Sequence, residues 1–132
     1  MKLSTRYGLV GIVALGALSL VHWGRKLQYI GPEIFLYLMG VLPNVAAAIA
    51  IPFVLLSIWA DQRPAATYSD ARQSFVVLLI VAGAGLCTWE LIQQSSRTLV
   101  FDTHDIGATI VGLGLGWFLF TALTPTSHPP AG

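Results

Sequence analysis

Four long apolar runs, at about residues 7–23, 34–60, 75–91 and 106–123, constrain this chain more than any other feature. A helix rises about 1.5 Å per residue, so roughly 20 apolar residues cross a hydrocarbon layer about 30 Å thick. Each run approaches or exceeds that length. Lipid offers the backbone no hydrogen bonds, so a spanning segment must be a helix or a strand of a closed barrel. Barrel strands alternate polar and apolar residues, whereas these runs are continuous. The expected fold is therefore an all-α membrane protein, with four transmembrane helices in an antiparallel bundle over residues 1–123. Composition agrees: 55% of the chain is hydrophobic and 10% charged, against about 25% charged in a soluble domain.

Local chemistry refines each span. The first run follows Lys2 and Arg6, as a signal peptide would, but ends in Trp23, Arg25 and Lys26 rather than at small residues. It reads as a retained helix. The second run holds Pro43, Asn44 and Pro52. Each proline removes a backbone donor and frees a carbonyl one turn back, so this helix is expected to be kinked or broken. Asn44 is placed to satisfy a backbone group that the prolines free. Trp23, Trp59 and Trp89 fall at run ends, where interfacial aromatics belong. The proline-bearing tail, residues 124–132, is expected to be disordered.

Charge excludes some functions and orients the chain. The net charge of +1 gives no reason to expect a nucleic-acid partner. Cys87 is the single cysteine, which excludes an internal disulfide and a multi-cysteine metal site. No metal or cofactor motif is present; His104, His22 and His128 read as incidental. Four spans put both chain ends on one side, with Lys2, Arg6, Arg63 and Arg72. Arg25, Lys26 and Arg97 lie on the other. The positive-inside rule then places both ends in the cytoplasm.

The most specific pattern straddles the third and fourth runs. Half of the six acidic residues, Glu90, Asp102 and Asp105, lie in this short stretch. At 100° per residue, Gly83, Glu90, Gln93 and Arg97 share one helical stripe. Asp105, Thr109, Gly112 and Gly116 share another. An antiparallel hairpin would bring the stripes together: glycines deep, where small residues permit close approach, and polar groups at the loop end. Glu90 and Asp105 are then candidate acid–base residues, and Gln93, Arg97, Asp102 and Thr109 candidates for ligand contact or ion pairing. Gly83, Gly112 and Gly116 would pack the helices. The plainer alternative is a structural staple, with Arg97 forked onto a carboxylate and Asp105 capping the fourth helix.

The order Trp89-Glu90-x-x-Gln93, then Arg97, then Asp102-x-x-Asp105-Ile106, then Gly112-x-x-x-Gly116, resembles the VanZ-like membrane proteins. The resemblance covers about 35 residues, within 75–119 at its widest. It departs from the family pattern at Thr109, where an asparagine is common, and in a longer Arg97-to-Asp105 spacing. The resemblance implies a small bacterial inner-membrane protein of the cell envelope, in a family linked to teicoplanin resistance and without an established reaction. The expected partners are membrane lipids, with self-association or other membrane subunits as further partners. A non-catalytic subunit of a larger membrane complex is the alternative reading.

Overall fold

The computed structural model describes residues 1–27, 31–94 and 103–126. Four helices follow in chain order: α1, Leu3–Lys26; α2, Glu33–Gln62; α3, Tyr68–Gln94; and α4, Thr103–Leu123. All four are long and apolar enough to cross a membrane. The chain is thus a multi-pass, all-α membrane protein, and the described residues contain no strand. Each helix overruns its apolar run at one end or both, because polar flanks such as Glu33, Gln62 and Tyr68 continue the backbone ladder into the headgroup region.

α2 is the central helix, packed by α1, α3 and α4. Its sequence explains why. Ala46, Ala48 and Ala50 are buried, and such small side chains let neighbouring backbones come close. α1 answers with glycines. A Cβ at Gly11 would stand 2.7 Å from Val54 Cγ2, and one at Gly8 would stand 3.0 Å from Ser57 Oγ. Ser57 Oγ donates to the Ser4 carbonyl at 2.8 Å, adding a polar tie in a lipid-facing bundle.

The end of the bundle that carries residues 3, 62, 68 and 123 holds the densest packing. Tyr7, Phe53, Tyr68, Phe75, Trp117 and Phe120 draw on all four helices, with ring centroids of neighbouring pairs from 4.5 Å (Phe75–Phe120) to 6.5 Å (Phe75–Trp117) apart. Separations in this range suit offset or edge-to-face aromatic contact. Tyr7 is fully buried, and its hydroxyl lies 2.8 Å from Thr124 Oγ1. Thr124 in turn donates to the Phe120 carbonyl at 2.7 Å. Its only proton is committed there, so Tyr7 must be the donor to Thr124. Thr124, the first residue of the expected tail, is 4% exposed and closes the bundle. Residues 127–132 lie outside the described part.

α2 runs through both Pro43 and Pro52 without a break. Pro43 lacks an N–H, so the carbonyl four residues earlier, that of Met39, loses its helical donor. Arg25 supplies the replacement. Its Nε and Nη2 donate to Met39 O at 3.0 and 2.6 Å, and Nη2 also reaches Gly40 O at 3.0 Å. The group that satisfies this freed carbonyl is thus a guanidinium from α1, and the expectation for Asn44 is corrected at this position. A neighbouring helix can supply five donors in a fixed fork; the short amide of Asn44 is tied to its own place on α2.

Candidate functional site

At the opposite end from the aromatic core, α3 ends and α4 begins. The register between them is set by Gly83, whose missing side chain makes room for Leu113: a Cβ there would stand 2.8 Å from Leu113 Cδ1. Counting seven residues up α3 and seven back along α4 brings Glu90 level with Ile106, about 10 Å nearer the membrane edge. By that count Glu90 lies at the height of the α4 turn between Asp105 and Thr109.

Burial sorts these residues. Glu90 is 3% exposed and Thr109 1%. Gln93 and Asp105 are half-buried. Asp105 sits in the first turn of α4, where free N–H groups and the helix dipole favour a carboxylate. Thr109 Oγ1 donates to the Asp105 carbonyl at 2.9 Å, which binds the hydroxyl proton to its own helix and leaves the oxygen as an acceptor. His104, at the mouth of α4, meets Tyr37 of α2 edge-on at 5.6 Å. α2 thus borders the site, a contribution that the pattern on α3 and α4 did not announce. Arg97 and Asp102 lie outside the described residues, and so does the proposed pairing of Arg97 with a carboxylate. Among the described residues no three His, Cys, Asp or Glu side chains gather as a metal ion would require.

The glycines divide their work differently from the hairpin expected for α3 and α4. Gly83 packs against α4, through Leu113. Gly112 does not face α3. A Cβ on it would stand 2.7 Å from the Val45 carbonyl oxygen and 2.7 Å from Ala48 Cβ, so its close approach is to α2. Gly116 opens between Leu79 and Phe75 of α3 and Phe53 of α2, each at 3.7–4.0 Å. The physical reason is the central position of α2: its small side chains lie on both sides, with Ala46 lining the groove along α1 and Ala48 beside Gly112 of α4.

Two tryptophans mark each end of the bundle. Trp23 and Trp89 are 62% and 55% exposed near the ends of α1 and α3. At the other end, Arg63 lies over Trp59 at 5.4 Å and Arg72 over Trp117 at 5.9 Å. Rings with cations on their faces suit a headgroup layer, where an apolar body and a charged cap can both be accommodated.

This geometry defines a four-helix, multi-pass membrane protein with a buried carboxyl group near one membrane edge. Comparison with known proteins found no matching family model, curated protein or solved structure.

Proposed function

We propose that this chain is a VanZ-like protein of the bacterial inner membrane that binds, or binds and modifies, an amphiphilic molecule of the cell envelope at the α3–α4 end of the bundle. The observation that carries the reading is Glu90, a carboxyl group 3% exposed within an apolar helix. Ionisable groups at membrane depth are costly, and where they occur they commonly serve binding or proton transfer. Three acids against one arginine in the segment from Glu90 to Asp105 select a ligand that presents ammonium or hydroxyl donors. Glu90 and Asp105 are the acid–base candidates; Gln93, Arg97, Asp102 and Thr109 are the groups that would orient the ligand. Lys2, Arg6, Arg63 and Arg72 collect at the opposite end, which supports a cytoplasmic location for that end and an outward-facing site.

A second reading is a non-catalytic subunit of a larger membrane complex. It is favoured by the start of α2, where Ile34, Phe35, Leu36, Tyr37 and Leu38 are each 42–66% exposed on every side of the helix. Such a segment offers apolar side chains outward that could receive a helix of a partner. One experiment separates the two. Glu90→Gln and wild-type proteins are compared for teicoplanin resistance and growth, for thermal stability in detergent, and for co-purifying chains. The binding reading expects Glu90→Gln to fold normally and to lose the phenotype. Full activity of that variant would remove Glu90 from the mechanism. A stoichiometric partner chain, with an active Glu90→Gln variant, would favour the subunit reading.

A further inference from the structure

A second feature lies away from Glu90, on the lipid-facing side of α1 and α2. A groove of about 450 Å3 runs between them, lined by Val10, Ala14, Ala17 and Val21 of α1 and by Leu42 and Ile49 of α2, among other aliphatic side chains. Its volume falls within the range of ligand pockets, about 300–1,000 Å3. The groove exists because Ala14 and Ala17 of α1 and Ala46 of α2 line it with small side chains, where larger ones would fill the space. From Val10 to Val21 it extends about 16 Å along α1, close to half of a hydrocarbon layer about 30 Å thick. One leaflet's acyl chain has that depth.

The same two helix faces lead to a cation. One turn beyond Val21 stands Arg25, already fixed by its bonds to Met39 O and Gly40 O, which lie one turn above the Leu42–Val45 section of the groove. Lys26 follows, exposed, with His22 and the exposed ring of Trp23 one turn below. α1 has no acidic residue, and Glu33 of α2 stands six residues beyond Met39, about 9 Å further from the groove. An apolar channel one leaflet deep thus leads to an immobilised guanidinium, with the ammonium of Lys26 on the next residue.

We infer that this groove is a binding site for an anionic lipid, with an acyl chain between α1 and α2 and its phosphate at Arg25 and Lys26. Charge complementarity chooses the headgroup, and the depth of the groove chooses a membrane lipid over a soluble phosphate. The arginine has two functions in this arrangement: it completes the backbone of α2 at Pro43, and that bond holds its charge at the groove mouth.

The test uses the full chain in detergent, titrated with phosphatidylglycerol or with phosphatidylcholine of identical acyl chains, and bound lipid is counted by native mass spectrometry. Phosphatidylglycerol is expected to bind more tightly than phosphatidylcholine. Lys26→Gln leaves the Arg25 bonds intact and should reduce that preference about five-fold, the share of one basic residue near a membrane surface. Ala17→Phe, at an exposed lining position that can take bulk without displacing the core, should abolish the tight site for both lipids. Equal affinity for the two lipids, or phosphatidylglycerol binding unchanged in Ala17→Phe, would overturn the assignment. Circular dichroism and thermal unfolding of both variants accompany the titration; Val13→Phe, at a second exposed lining position, repeats the blocking test if Ala17→Phe misfolds.

Discussion

A carboxylate and a phenol illustrate how single residues divide function from stability in this bundle. Glu90 is enclosed at the end of α3, level with the polar turn of α4. Glu90→Gln keeps the shape and most hydrogen-bonding capacity while deleting the charge. It should leave thermal stability in detergent within about 1 kcal/mol of wild type, in the ordinary range for a mild substitution, while ligand binding and any resistance phenotype are lost. Tyr7 belongs to the other class. Its hydroxyl donates to Thr124 inside the aromatic core. Tyr7→Phe removes one buried hydrogen bond and preserves the ring, so it should cost about 1 kcal/mol in a reversible unfolding assay and leave binding at the Glu90 end unchanged. Glu90 was legible in the sequence because an acid in an apolar run is conspicuous. The role of Tyr7 was not, since its partner lies 117 positions away and neither residue departs from its local pattern.

At the scale of the helix, the glycines give a contrast that one measurement can read. Gly112 meets the backbone of α2, and the Val45 carbonyl cannot move aside without moving the helix. Even a methyl group is too large, so Gly112→Ala should destabilise by about 1–3 kcal/mol, as overpacking does. Gly83 meets only the tip of Leu113, a flexible side chain. Gly83→Ala should lie close to wild type, because the clash is relieved by a rotamer change and alanine favours the helix by about 1 kcal/mol. Thermal melts of the two variants in the same detergent check the pair; equal losses would contradict the assigned neighbours. The four spans themselves were legible from continuous apolar runs, and the glycine stripe on α4 was legible from periodicity. Which helix the stripe faces was not. Helical spacing tells which residues share a face, while the choice between α2 and α3 depends on how three helices fit around an alanine-rich fourth. The capping of α3 shows the same limit at shorter range. Thr67 and Asp70 exchange bonds, with Thr67 N–H reaching Asp70 Oδ2 at 2.9 Å and Asp70 N–H reaching Thr67 Oγ1 at 3.3 Å. This reciprocal arrangement starts the helix seven residues before its apolar run.

The whole molecule has a polarity of its own. One end has the aromatic core and cation-capped tryptophans; the other has Glu90, the Arg25 clasp and the exposed start of α2. If the basic end is cytoplasmic, a cysteine at Ala65, exposed in the loop between α2 and α3, should resist a membrane-impermeant maleimide in intact cells in a Cys87→Ala background, and react after lysis. Labelling in intact cells would reverse the orientation. The sequence carried this polarity only in part: its four-to-three balance of basic residues counted Arg25 as an ordinary charge, whereas the fold commits that guanidinium to two carbonyls of α2.

The bond between Tyr7 and Thr124 also has a consequence in time. A chain made from its N-terminal end inserts α1 early, and domains acquire their structure roughly in that order. The ring of Tyr7 can pack on Phe53 once α2 is made, but the phenol receives its partner only after α4 has emerged. The earliest aromatic side chain of the core is thus locked by nearly the last residue of the bundle, and a nascent chain halted before Thr124 would hold every helix yet still lack its latch.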